Sequence, residues 1–571
     1  VVAIAILNYL FHIILVQFFL NDYIMDITAY LLKEFFGGEL YKTIFIILLS
    51  ILTNIFQINI VSKLTANIID SIQRKHTDAY RFYKLFIGAS IIFIFLFYFY
   101  KLLQAQLLSK LRQWLKSELI KMTLIVNNEN MSDVNFSTLS SPINRISSNL
   151  FYIFNQLFSS TIPNLSVLTV IFGYLLYTNL VCSLIFFTGN ACLLTYIACN
   201  WTGMCEINDI YEKTVFETEN SLVEIMNNVD KILNRGQNMQ IITDYDNLSA
   251  LTIEKADNVY VNIRFHSVVS SIIVHITLFI LIGYLIKLVV AKKISINVFV
   301  TFFTIMIVYR DKIVSFIQDV PSYVELSGRN KNIMYLFKDM ENDYMQIIDH
   351  HYNTHNLDFN SIQFKNVSFK YKTQAKYTIE KLNLNLTLDK IIGVTGLSGK
   401  GKSTFVKLIL KMYKYEGDIF IDGVNINEID GNYIRQNIIY VNQNSKLFDK
   451  LIIDNIHYGC NDLDNCEKYL QEIMQFEKIK NLFKNINFHT TTAGLSGENL
   501  SGGQRQIINI INGLIIPSEV TVLDEPTNAL DPELKLDVIK LIKHFKQYKK
   551  CIIIISHDKD IFSIFDETIK I

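Results

Sequence analysis

The sequence has no charge bias. Its 53 lysines and arginines are matched by 53 aspartates and glutamates. Without a global basic field, nothing draws the chain to nucleic acid, and none is expected as a partner. Organised cysteine is missing too. Cys182, Cys192, Cys199, Cys205, Cys460, Cys466 and Cys551 are scattered, four of them in or beside one apolar stretch, and no pair has metal-site spacing. An odd count outside a secretory pattern predicts reduced thiols rather than a disulfide framework. Residues 1–19 are apolar but lack the basic lead and the A-x-A site of a cleaved signal. They read as an extra span or a shortened leader, and a start at Val1 reads as a fragment.

Apolar and aromatic residues, by contrast, are abundant: 50% of the chain is hydrophobic, with 40 phenylalanines and 30 tyrosines, and the excess falls before about residue 320. A chain of 571 residues is long enough for several domains. Crossing ~30 Å of hydrocarbon takes ~20 mainly apolar residues, and backbone groups in lipid must be paired within a helix. After an N-terminal hydrophobic segment and lead-in helix (1–41), six spans are expected within a membrane domain at 42–335: about 43–66, 82–104, 151–178, 180–200, 266–290 and 295–318. Only Tyr177, Thr178 and Asn179 separate the third and fourth, which predicts a tight hairpin. The connections 105–150 and 201–265 are long and still helical in pattern, as in LRQWLKSELIKM and ENSLVEIMNNVDKILNRG. They are expected to leave the bilayer on one side and to hold short helices near 128–138 and 217–228. Lys101, Lys110, Arg112, Lys116 and Lys121 mark that side as internal, whereas Arg74, Lys75, Lys292 and Lys293 fall on the other. Arg310, Asp311 and Lys312 fall near the middle of the sixth span. They either line a polar path or show that the helix leaves the membrane earlier.

A linker at 336–354 leads into a soluble pattern of short strands and helices at 355–571. The strand KIIGVTG runs into GLSGKGKST, Gly396 to Thr404. A strand, a Gly-rich loop and a helix in that order form a phosphate-binding loop, in which backbone N–H groups and the helix N-terminus face the phosphates. Gly396, Ser398, Gly399, Lys400, Gly401, Lys402, Ser403 and Thr404 are the candidates. Lys402 should reach the β- and γ-phosphates of ATP, and the Ser403 hydroxyl should bind Mg²⁺. EVTVLDEPT, Glu519 to Thr527, reads as a buried strand ending in two carboxylates. Asp524 fits as a Mg²⁺ holder and Glu525 as the base that polarises water. LSGGQRQ supplies Ser501, Gly502, Gly503 and Gln504 at a second helix N-terminus suited to a γ-phosphate. One domain's loop cannot fill both sides of one nucleotide, so a second copy is expected to supply it.

These motifs together resemble those of ATP-binding-cassette (ABC) transporters, in the exporter half-transporter order of membrane domain first and ATPase second. The resemblance covers the whole ATPase and implies a multidomain fold: an all-α, six-helix membrane domain followed by an α/β P-loop ATPase. It further implies that Gln443 senses Mg²⁺ and the attacking water, that His557 contacts the γ-phosphate, that Asp531 ends a loop crossing to the other copy, and that Tyr371 stacks on adenine. Ser403, Gln443 and Asp524 become the Mg²⁺ set. The implied partners are a second half-transporter, the lipid bilayer and a small-molecule, lipid or peptide cargo, with the ATPase in the cytosol or an organelle matrix. An importer would usually separate permease from ATPase, and a non-transporting relative would lack spans. A regulated channel on the same scaffold is the alternative. Two stretches depart from the family pattern: QIINIINGLI after the signature, and TTAGLSGEN before it without the usual acidic residues. The sequence stops soon after His557, where relatives continue, which again reads as truncation.

Overall fold

The computed structural model describes residues 25–73, 78–129, 131, 139–334, 337, 344, 356–371, 374–397, 399, 401–443, 445–528 and 530–571. Expectations placed on 1–19, Arg74, Lys75, Ser398, Lys400, most of 128–138 and most of the linker lie outside them. The chain divides into two compact units, Val1–Met122 with Phe136–Asp343, and Thr123–Asn135 with Tyr344–Ile571.

The first unit is helical. α1 (Met25–Gly38) and α2 (Leu40–Ile55) are followed by a π-helical turn at Phe56–Val61 and α3 (Ser62–Gln73). Then come α4 (Ala79–Val126), α5 (Ser140–Gln156), a second π-helical turn at Leu157–Thr161, and α6 (Ile162–Thr178). α7 (Leu180–Asn227), α8 (Val229–Asn234), α9 (Asn238–Val290) and α10 (Ile296–Met334) complete it. Four stretches are long and apolar enough to cross a membrane: Ala79–Val126, Ser140–Thr178, Leu180–Asn227 and Asn238–Val290. Tyr30–Gly38 and Leu40–Ile55 pass the same test only as a pair bent by 80°. α4 and α7 have 48 residues each and α9 has 53. At 1.5 Å per residue, 48 residues extend about 72 Å, more than twice the ~30 Å of hydrocarbon. The long connections are therefore continuations of the spans.

Asn179 makes the expected hairpin. Its backbone is extended and its side chain accepts a hydrogen bond from the Cys182 N–H at 3.0 Å, capping α7 where α6 ends. The core between α6, α7, α9 and α10 includes Val167, Leu175, Phe186, Leu281 and Tyr309, with the Tyr309 hydroxyl donating to Asn190 Oδ1 at 3.0 Å. Farther along α7 and α10, Arg329 Nε meets Glu212 Oε1 at 3.1 Å, its guanidinium also pairs with Glu325, and Asn208 Nδ2 donates to the Val324 carbonyl. Gly328 allows that approach, because a Cβ there would strike the Asn208 amide. The expected sixth span lies in α10, where Arg310 and Asp311 pair with each other on an exposed face at 2.8 Å. The short helix expected at 217–228 is the end of α7. ENSLVEIMN has nothing to stop a helix, and the break comes at Asn228, after which α8 is the short element and Gly236, at φ 63°, turns the chain.

The second unit is α/β. Its elements are β1 (Ser361–Phe369), β2 (Ile379–Thr387), β3 (Ile391–Thr395), α11 (Lys402–Ile409), β4 (Glu416–Ile421), β5 (Val424–Asn425), α12 (Gly431–Asn437) and β6 (Ile438–Val441). After them come α13 (Ile452–Ile456), α14 (Leu463–Ile473), α15 (Glu477–Leu482), α16 (Gly502–Ile515), β7 (Val520–Asp524), α17 (Pro532–Phe545), β8 (Cys551–Ile555) and β9 (Glu567–Lys570). An antiparallel sheet runs β2-β1-β4-β5, and a parallel sheet runs β6-β7-β8-β3-β9. VTVLD and CIIII are buried at every residue, as parallel strands covered on both faces must be. Asp524 ends β7, and Gln443, His557 and the phosphate loop follow the carboxyl ends of their strands, where open α/β sheets bind ligands.

Two features of this unit were not expected. Cys460 and Cys466 form a disulfide, with Cα atoms 6.7 Å apart, against the expectation of reduced thiols throughout. The loop before α14 folds back to bring them together, which their spacing alone does not reveal; the other five cysteines form no disulfide. The unit also takes in the last turn of α4 and the residues after it. Glu129 Oε2 pairs with Lys411 Nζ at 3.0 Å, and Oε1 accepts from the Gly431 N–H at 2.9 Å. Met131 N–H donates to the Met412 carbonyl at 2.7 Å, and Arg435 bonds both Leu410 O and Asn128.

Candidate nucleotide site

The loop after β3 can tighten around an anion because its glycines adopt backbone angles that other residues avoid. Gly401, at φ 96°, is the N-cap of α11, and a Cβ there would press on Thr378. Lys402 follows, 7% exposed, with Nζ donating to the carbonyls of Gly396 (3.1 Å) and Leu397 (3.2 Å) and meeting His557 Nε2 at 2.9 Å. An ammonium can only donate, so Lys402 is the donor in each of these contacts.

Ser403 Oγ donates to Asp524 Oδ2 at 2.7 Å, and the Tyr440 hydroxyl donates to the same oxygen at 2.8 Å. Burial, followed by the Asp524 charge, pushes the Tyr440 phenol far above its ordinary value, so it remains a donor. Asp524 is buried without a cationic partner among the described residues. A buried carboxylate beside a serine hydroxyl is a hard oxygen set, and it fits Mg²⁺. Glu525 sits at φ 53°, a conformation that costs a non-glycine residue energy and turns up at functional sites. Its Oε2 accepts from Ser556 Oγ and the His557 N–H, both at 3.4 Å, and Oε1 is 3.6 Å from His557 Nε2.

Tyr371, Gly399, Gly401, Lys402, Ser403, Thr404, Gln443, Asp524, Glu525 and His557 line one cavity of about 740 Å³. Tyr371 bonds Thr404 Oγ1 at 2.8 Å and meets Phe369 and Tyr413 edge-on. Gly396 contributes through its carbonyl to Lys402. The structure does not bring Ser501, Gly502, Gly503, Gln504 or Asp531 to this lining. Ser501 and Gln504 form a reciprocal capping box at the start of α16, and Asp531 caps α17 by accepting from the Leu534 N–H. Gly502 and Gln443 line a second cavity of about 490 Å³.

Tyr440 and Gln506 escaped the sequence reading. Gln506 Nε2 donates to the carbonyls of Glu525 (3.0 Å) and Pro526 (2.8 Å), tying α16 to the backbone that carries Glu525. Its place at the end of LSGGQRQ was the available signal; Tyr440 had none. The departures find a use as well. In QIINIINGLI, Asn509 donates to Ser445 O, and Asn512 to Ile456 O and Tyr458 O, fixing neighbouring loops. In TTAGLSGEN, Gly494 and Gly497 keep their positive φ.

Comparison with known proteins accords with this geometry. Residues 379–528 match the ABC transporter family model. This stretch is similar in sequence to the ABC transporter domain. Over 211 residues, the chain is 31% identical to an ATP-dependent lipid A-core flippase of Haemophilus influenzae, covering 37% of this chain and 36% of that protein. It is also 33% identical over 201 residues to the alpha-hemolysin translocation ATP-binding protein HlyB of Proteus vulgaris, covering 34% and 28%. The chain thus spans about a third of the length of the curated relatives it matches. A solved bacterial Atm1-family ABC exporter with ATP bound superposes with a TM-score of 0.74 at 17% identity, covering 94% of this chain and 93% of that one. The chain therefore shares the fold of that exporter structure, a helical unit with four stretches long and apolar enough to cross a membrane followed by an α/β unit.

Proposed function

We propose that this chain is one half of an ATP-driven exporter, working with a second half-transporter, identical or similar, to move a small-molecule, lipid or peptide cargo across a bilayer. The observation that carries this reading is the split between the two motifs. Lys402, Ser403, Asp524, Glu525 and His557 converge on one cavity, while Ser501 to Gln504 lie off it with their helix N-terminus exposed. A second chain's signature would complete the nucleotide site, and this one's would complete the partner's. ATP thereby joins two ATPase domains, favouring the closed packing of a two-state pair. The ATPase faces the cytosol or an organelle matrix, where ATP is.

Lys402 is placed to exchange its loop carbonyls for phosphate oxygens. Ser403 and Asp524, with Gln443 at the rim, would hold Mg²⁺, which supplies charge neutralisation at the phosphates. Glu525, fixed by Ser556 and His557, is the group placed to take a proton from the attacking water, and His557 is placed to donate towards the terminal phosphate. Tyr371 offers its face to the adenine.

The test is Glu525→Gln in the full chain reconstituted in vesicles. Phosphate release should fall roughly 10²- to 10⁴-fold, the range for losing a general base, while binding of a fluorescent ATP analogue persists and paired chains accumulate. Hydrolysis at the wild-type rate would remove Glu525 from its role. Stimulation of wild-type ATPase across a cargo panel, with net flux, would separate pump from channel.

A further inference from the structure

We infer that Tyr440 is a positioning residue for the Mg²⁺ site, its phenol holding Oδ2 of Asp524 so that Oδ1 is the oxygen left for the cation. The inference rests on the ATPase reading above and extends it to a residue that the motifs do not include.

The placement follows from the sheet. β6 and β7 are parallel, with Tyr440 opposite Val522 and Val441 opposite Leu523. Side chains alternate along a strand, so Tyr440, Val522 and Asp524 share one face. From a position diagonal to Asp524, a long side chain can reach the carboxylate while a Val or Leu cannot, and the phenol does so at 2.8 Å. Ser403 reaches the same Oδ2 at 2.7 Å. One donor would let the carboxylate pivot about that contact, whereas two on a single oxygen fix its plane. Oδ1 takes no donor among the described residues, and Asp524 lines the nucleotide cavity. The neutral donors matter too. A lysine or arginine at 440 would compete with the cation for Asp524, and a phenol orients it without cancelling its charge.

The experiment uses Tyr440→Phe in the full chain, which removes one oxygen and keeps the ring. A fluorescent ATP analogue is titrated with Mg²⁺ and, separately, in EDTA, and thermal unfolding is followed in EDTA. The expected result is an Mg²⁺ half-saturation raised about 10-fold, the scale of one hydrogen bond to a charged acceptor. Affinity in EDTA and the unfolding midpoint should stay at wild-type values. An unchanged Mg²⁺ dependence would make Tyr440 a filler of space and overturn the inference. So would an equal loss with and without Mg²⁺, or a lowered midpoint that accounts for the loss. If wild-type binding itself ignores Mg²⁺, the magnesium reading fails first, and this inference with it.

Discussion

Glu212, Glu325 and Arg329 in the first unit, and Lys402, Asp524 and Glu525 in the second, are the same kinds of residue put to opposite uses. In the first cluster the charges pair directly with one another. Arg329 bonds Glu212, which is 4% exposed, and Glu325 one turn away, leaving little for a ligand to replace. In the second, Lys402 shares a cavity with two carboxylates yet pairs with neither. It rests on two carbonyls and an imidazole, Asp524 rests on two hydroxyls, and Glu525 rests on Ser556 and His557. A structural cluster is closed, whereas a binding cluster keeps its signs apart on neutral partners that an incoming ligand can displace.

The widest test of that contrast is Lys402→Met. Losing charge-assisted bonds to phosphate should weaken binding of a fluorescent ATP analogue roughly 10- to 100-fold. The unfolding midpoint should barely move, since only neutral acceptors are released; a large drop there would break the comparison. Arg329→Leu should do the reverse. Stripping a buried carboxylate of its partner costs ~3–5 kcal/mol when both ions are buried. The Arg329 side chain is 35% exposed, so screening reduces the expected loss of stability to about 1–3 kcal/mol, read from unfolding curves with nucleotide affinity unchanged.

Lys549 gives the smallest effect and a third case. It is 5% exposed, donates to Ile516 O and to Ser518 Oγ, and burial lowers its pKa from 10.5 to about 8. A lysine depressed in the fold favours folding most when neutral. Its contribution is full above the unfolded value near 10.5 and is lost as pH falls through about 8. Lys549→Met should therefore flatten the rise in unfolding midpoint between those two pH values, and an unchanged slope would show that other groups set it.

How much of this was legible in the sequence depended on how locally each feature is encoded. The phosphate loop, Asp524, Glu525 and His557 sit beside the strand ends that position them, so motif and geometry coincide. The pairs Arg329–Glu212 and Tyr440–Asp524 are separated by 117 and 84 residues, and nothing near either partner announces the other. Helix signals were strong enough to find α4, α7 and α9, and too uniform to place the break at Asn228. Cys460 and Cys466 lie six apart, a spacing that means nothing until the loop before α14 folds back. The charges at 310–312 were visible, but their pairing on an exposed face was not.

The phosphate-loop helix α11 is held at both ends. Its first residues line the nucleotide cavity, and the carbonyls and ammonium just past its last turn, from Leu410 to Met412, are gripped by Arg435, Glu129 and Met131. Eight residues make a rod about 12 Å long, too short to bend appreciably. The same short helix therefore touches the nucleotide cavity at one end and the residues that continue α4 at the other. About two turns of helix thus make the phosphate loop and the Glu129 segment neighbours in space, though about 270 residues separate them in the chain.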